Sequence, residues 1–269
     1  GRTHWPDTNR VMLRNRRIGC SVSGVAQFIT KRGLGEFQNW LENGYDTIQE
    51  WDNQYSDWFA VPKSIKTTSV KPSGTVSLLA GATPGLHYPE SRFYIRRVRL
   101  SKYSELIEPL KKANYKLEPA FGSEDTTMVV EVPVDVGEGI RTAAELSIWE
   151  QFSLAAFLQR HWADNQVSCT VTFNPETEAD QIAPALNYYQ YHLKGISLLP
   201  RHELGAYQQM PYEAIDEDTY NQEVKKLGKL SFGVINNEEA NIEKFCDGDF
   251  CDVEVVPTAG DNDDQDYAN

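Results

Sequence analysis

From Ser64 onward the sequence switches repeatedly between two hydrophobic periods, and this limits the fold more than any other feature. Strand-like apolar runs occupy residues 65–70, 93–100, 128–134, 167–173 and 196–199. Helix-like stretches lie between them, near residues 104–113, 143–161 and 178–192. Short apolar strands alternating with helices predict an α/β domain with a largely parallel sheet covered on both faces. Ahead of it, Phe37, Leu41, Tyr45, Ile48, Trp51, Tyr55 and Trp58 recur every three or four residues. They mark one face of a long helix over residues 36–58, with Gly44 tolerated inside it and the aromatic stripe packed on the sheet. Asn174-Pro175 ends a strand, and Thr177 is the expected N-cap of the next helix.

Size and charge narrow the class. The chain has 269 residues, of which 40% are apolar. That is enough for a real core, in one large domain or two small ones. No run approaches about 18 consecutive apolar residues, and no signal peptide pattern opens the chain, so neither a membrane span nor export is expected. Four cysteines do not make a disulfide scaffold, which favours a reducing, cytoplasmic setting. The net charge of −13 is segregated. Residues 237–269 hold eleven acids and one base, a net of −10, leaving only −3 for the rest. A nucleic-acid binder would want the opposite balance. Periodicity also vanishes past Phe232, so a body over residues 1–236 and a mobile acidic tail over 237–269 are expected.

Three segments carry chemistry. In the first, Lys71-Pro72-Ser73-Gly74-Thr75-Val76-Ser77 follows a strand and precedes an apolar run. Pro72 and Gly74 make a turn, while Ser73, Thr75 and Ser77 supply hydroxyls. Free amides where a helix begins attract anions. An ordinary strand-to-helix turn with a hydroxyl cap has the same spacing. The second is the rigid loop from Gly81 to Pro89, in which Gly85 fixes the path and His87 either faces a ligand or holds a turn. Nearby Arg96 and the pair Arg97 and Arg99 lie on opposite faces of a strand, where ion pairing or solvation is expected. The third is Cys246 and Cys251, with four residues between them. Without nearby histidines they make a poor zinc site, but they can cycle between dithiol and disulfide; two unrelated tail cysteines are the plain alternative. Cys20 and Cys169 sit in apolar runs, as buried inert thiols do.

The combination resembles the adenosylcobalamin-dependent (class II) ribonucleotide reductases of the monomeric ribonucleoside-triphosphate reductase type. Four segments carry it: Arg16-Arg17-Ile18-Gly19; Lys71 to Gly81 with Pro84-Gly85-Leu86-His87; Trp162-Ala163-Asp164-Asn165-Gln166-Val167-Ser168; and Lys194-Gly195-Ile196-Ser197-Leu198-Leu199-Pro200. The resemblance implies a ten-stranded α/β barrel reducing the ribonucleotide 2′-carbon through a thiyl radical, with adenosylcobalamin as cofactor. Pro72, Ser73, Gly74, Thr75, Val76 and Ser77 then correspond to the substrate-phosphate loop, and Cys246 and Cys251 to the pair that shuttles electrons from thioredoxin. The family's radical cysteine and its reducing pair lie upstream of the segment matching Arg16–Gly19. The resemblance thus implies the C-terminal half of the barrel, acting on a ribonucleoside triphosphate with an N-terminal half as partner. A non-catalytic half-barrel interaction protein and an unrelated α/β sugar-phosphate enzyme are the alternatives.

Overall fold

A computed structural model of the chain describes residues 3–201 and 208–231. Helices α1 (Pro6–Asn15), α2 (Val25–Arg32) and α3 (Leu34–Trp58) come first. A 3-10 turn (Val76–Ala80), β1 (Phe93–Ser101), α4 (Ile107–Lys112), β2 (Lys116–Pro119) and β3 (Thr127–Asp135) follow. Then come α5 (Ile148–His161), β4 (Thr170–Phe173), α6 (Pro175–Glu178), α7 (Ile182–Tyr189), β5 (Ser197–Pro200), β6 (Tyr212–Ala214) and α8 (Glu217–Lys226).

The strands divide into two sheets, so the expectation of one largely parallel sheet is corrected. The larger sheet is antiparallel, in the order β2-β3-β1-β6. Its sequence carries the reason. Arg97 on β1 stands opposite Glu131 on β3, with Nε and the carboxylate 2.9 Å apart, and Glu213 of β6 joins them. A strand with one charged face suits an antiparallel sheet open to water on that side. On the other face Arg96 is buried, its guanidinium 4.4 Å from the centre of the Tyr212 ring.

The parallel component is an arc of four segments. β4 and β5 pair in parallel. Val70 bridges to Val167, and Thr68 bridges to Cys20, both in parallel. The Ile18 and Cys20 amides donate to Lys66 and Thr67 carbonyls at 3.0 and 2.9 Å, and Ser168 donates to Val70 at 2.8 Å. Residues 65–70 are predicted as a strand but form only these bridges. Their polar groups are drawn to Asp164, which accepts the Thr67 amide and hydroxyl, and to the Trp162 carbonyl, which accepts the Thr68 hydroxyl at 2.5 Å.

The main core lies where α3 and α5 cover this arc: Phe37 and Leu41 from α3, Ile148, Phe152 and Leu158 from α5, and Val70, Val167 and Val171 from the arc. The aromatic stripe is therefore only half buried. Trp51, Tyr55 and Trp58 are 45%, 44% and 64% exposed and pack on one another with Phe59. The core beneath α3 ends before reaching them.

Two helix starts differ from expectation. Asn174, not Thr177, caps α6, because Pro175 suits the first helical position and the Asn174 side chain accepts the Glu176 amide. The stretch at 143–161 is broken: a 3-10 turn precedes Ser147, which forms a capping box with Glu150 at the true start of α5.

Candidate functional site

The central segment of the arc ends at Val70, and the chain turns into the glycine- and hydroxyl-rich loop. Pro72 sits exposed at the turn. Lys71 donates its amide to the Ser21 hydroxyl at 2.9 Å. Ser73 follows with φ +51°, a conformation that non-glycine residues hold only when their surroundings insist. The bracing is visible. Its Oγ lies 2.6 Å from the Ser23 hydroxyl and accepts the Gly85 amide at 2.9 Å. Gly85 itself has φ +51°, and a Cβ there would stand 2.5 Å from the Lys71 carbonyl oxygen. Only glycine permits that approach.

Beyond Ser73 the loop tightens into the 3-10 turn. The Ser77 amide donates to the Ser73 carbonyl at 3.0 Å, and Leu78 to Thr75 at 3.2 Å. The amides of Gly74 and Val76 donate to no group among the described residues. Thr75 and Val76 are exposed, whereas Ser77 is buried with its hydroxyl unpartnered. The hydroxyls expected to line an anion site thus have three different settings: Ser73 braces the loop, Thr75 stands at the surface, and Ser77 lies within. Thr75 and Val76, next to the half-buried Gly74, form the exposed part of the loop.

Behind the loop stands His87, partly buried. Its Nε2 accepts the backbone N–H of Thr170 at 3.2 Å, so the ring is neutral there, with its proton on Nδ1. Burial pushes its pKa below the usual histidine value, and the Pro84 carbonyl offsets part of that. The sequence alone does not reveal Ser21, Ser23 or Gln151, which brace the loop and the strand behind it. A serine in a loop and a glutamine on a helix carry no distinguishing local signal.

Reactive groups are sparse among the described residues. No cluster of three or more metal-ligating side chains occurs there. Burial raises the Cys169 thiol to about 12, which leaves it inert. Cys20 is exposed at one edge of the arc, correcting the expectation that it is buried. Cys246 and Cys251, with the whole acidic segment 237–269, lie outside the described residues. Of the arginines on β1, Arg97 pairs with Glu131 and Glu213 as expected, whereas Arg96 is buried against the Tyr212 ring, which corrects the expectation of ion pairing or solvation for it.

No family model matches the chain. Individual relatives do. It is 56% identical over 257 residues to a probable adenosylcobalamin-dependent ribonucleoside-triphosphate reductase of Dictyostelium discoideum, covering 94% of this chain and 34% of that protein. It is 54% identical to the adenosylcobalamin-dependent ribonucleoside-triphosphate reductase of Euglena gracilis, across 92% of this chain and 35% of that one. A crystal structure of a B12-dependent (class II) ribonucleotide reductase superimposes with a TM-score of 0.72 at 34% identity, over 83% of this chain and 35% of that structure. The chain spans about a third of the length of the relatives it matches. Over that third, the chain is similar to the adenosylcobalamin-dependent (class II) ribonucleotide reductases.

Proposed function

We propose that this chain forms the C-terminal third of an adenosylcobalamin-dependent ribonucleoside-triphosphate reductase, and that it contributes the loop that holds the substrate's phosphates. The carrying observation is the 56% identity to the Dictyostelium reductase over 94% of the chain. That likeness displaces the reading as an unrelated sugar-phosphate enzyme. The loop supports the assignment physically: two amides without acceptors among the described residues sit at a turn whose path is braced by Ser73 and Gly85. Oriented amides of this kind stabilise a phosphate oxygen without needing a cationic side chain.

The remaining polypeptide completes the barrel. Among the described residues the parallel arc ends in two unpaired edges, at residues 18–20 and at β5, and Leu199 on β5 is 54% exposed. Parallel sheets are almost always covered and their edges protected. The exposed aromatic ladder of Trp51, Tyr55, Trp58 and Phe59 is a second surface for the rest of the enzyme to cover.

Adenosylcobalamin supplies the initiating radical in this reading. A cavity of about 340 Å³ among the described residues is lined by Phe152, Leu186, Tyr189, Leu193 and Ile196, at the small end of ligand pockets. Replacing the 2′-hydroxyl by hydrogen takes two electrons and two protons and releases water. A pair of thiols supplies both and becomes a disulfide. Cys246 and Cys251 then reduce that disulfide by thiol exchange and are reduced in turn by thioredoxin. No helix among the described residues is long and apolar enough to cross a membrane, and thiol cycling of this kind belongs in a reducing cytoplasm.

The test is Gly74→Val in the full-length reductase. The added branched side chain blocks backbone approach, so KM for the ribonucleoside triphosphate should rise at least about tenfold, roughly 1.4 kcal/mol. An unchanged KM with the fold intact would remove the loop from the substrate site.

A further inference from the structure

The family reading leaves His87 without a role, and the geometry supplies one. Along one edge of β4 and of the residues leading into it, the alternate amides of Ser168, Thr170 and Thr172 need acceptors. Ser168 finds the Val70 carbonyl at 2.8 Å. Past Val70 the neighbouring segment leaves the arc to become the candidate phosphate loop, so the next two amides lose their strand partner. Side chains replace it. Thr170 donates to His87 Nε2 at 3.2 Å, and Thr172 donates to Gln151 Oε1 at 2.9 Å while its carbonyl accepts from Gln151 Nε2 at 2.8 Å. A buried amide without an acceptor costs about 1–3 kcal/mol, so both side chains are held in place.

The two plugs differ in what lies behind them. Gln151 comes from α5, and its hydrogen bonds go to Leu146, Ser147 and Thr172, none of them in the loop. His87 sits two residues beyond Gly85, whose amide holds Ser73 Oγ and where a Cβ would stand 2.5 Å from the Lys71 carbonyl oxygen. The same turn is closed by the His87 amide on the Pro84 carbonyl at 2.9 Å. We infer that His87 is a positioning residue for the phosphate loop: by anchoring its ring on the Thr170 amide it fixes the 84–87 turn, and through Gly85 and Ser73 it sets the path of the backbone at Gly74, Thr75 and Val76. The inference rests on the phosphate-loop reading for its functional consequence and on the hydrogen bonds alone for its mechanical part.

Two measurements on the full chain separate these. The first is amide hydrogen exchange. His87→Leu keeps the bulk and removes the acceptor, and exchange at Thr170, Gly85 and Ser77 should speed up at least about tenfold. His87→Gln offers a carbonyl in its place and should restore most of the protection. Gln151→Leu opens the other plug and should speed exchange at Thr172 while leaving Gly85 and Ser77 within about twofold. Should His87→Leu fail to fold, His87→Asn, too short to reach Thr170, takes its place. Unchanged protection at Gly85 and Ser77 in the His87 variants, or equal loss there in Gln151→Leu, would overturn the inference. The second is calorimetric binding of inorganic tripolyphosphate, which should weaken at least about tenfold in His87→Leu and recover in His87→Gln. If the unsubstituted chain does not bind tripolyphosphate, the phosphate reading fails, while the exchange measurement still decides whether His87 sets the loop.

Discussion

The carboxylate of Asp164 accepts two hydrogen bonds from Thr67, one from its amide at 2.9 Å and one from its hydroxyl at 3.0 Å. The same carboxylate accepts the Tyr45 hydroxyl at 3.0 Å, so one side chain ties the third segment of the arc to the second and to α3. Burial alone would raise the Asp164 pKa, but the bonds from Thr67 and Tyr45 outweigh it and hold the group below the usual aspartate value. Asp164→Ala leaves the Thr67 and Tyr45 donors unpaired. It should cost about 2–3 kcal/mol in urea unfolding. A loss well under that, with Tyr45 unmoved, would show that water replaces the carboxylate.

Gly85 carries a sharper prediction. An alanine there must hold φ +51° and place Cβ 2.5 Å from the Lys71 carbonyl oxygen. The left-handed conformation alone costs about 1–2 kcal/mol, so Gly85→Ala should lose at least about 2 kcal/mol and displace the loop. Full stability with unchanged tripolyphosphate binding would mean that the close approach is not needed.

Stability should depend on pH in two separate ranges. Burial lowers the His87 pKa in the folded chain, so between that value and 6.5 the unfolded chain binds more protons. Stability is then complete above about pH 6.5 and falls as pH drops below it. His87→Gln should flatten this range in urea midpoints measured from pH 7.5 to 5.5. Glu150 acts lower. Its hydrogen bonds from Arg141 and Ser147 bring it to about 2, so its contribution is full above its ordinary value of 4.5 and is lost toward 2. Identical slopes for the parent chain and His87→Gln above pH 5.5 would contradict the neutral-acceptor role.

The sequence revealed the chemistry-bearing segments better than their arrangement. The strands at 93–100 and 128–134 are present, but their neighbours follow from charges that meet across the sheet, as Arg97 meets Glu131. No local pattern contains that meeting. The strand at 65–70 is apolar enough to predict, yet Thr67 and Thr68 spend their polar groups on residues almost a hundred positions away. The loop at residues 71–77 is legible as a turn rich in glycine and hydroxyl side chains. That Ser73 braces and Ser77 is buried is not, because direction within a loop is set by contacts with Ser23 and Gly85.

The cysteines at 246 and 251 should act after chemistry, on the disulfide that each turnover leaves. In the complete enzyme, Cys246→Ser/Cys251→Ser should give a single-turnover burst with thioredoxin and sustained turnover with dithiothreitol, which reaches the disulfide directly. Nine residue-to-residue steps lead from Asn237 to Cys246, a reach of roughly 30 Å if extended. Undiminished steady-state turnover with thioredoxin would show that the pair carries no electrons.

The central claim is that this chain is a working part of a reductase whose other two thirds hold the radical chemistry. The direct measurement is reduction of a ribonucleoside triphosphate with adenosylcobalamin and a dithiol, by the chain alone and with the remaining reductase polypeptide supplied. No deoxynucleotide is expected from the chain alone, and turnover is expected once the remainder is present. Full activity from the isolated chain, or none after the remainder is added to a folded chain, would contradict the claim.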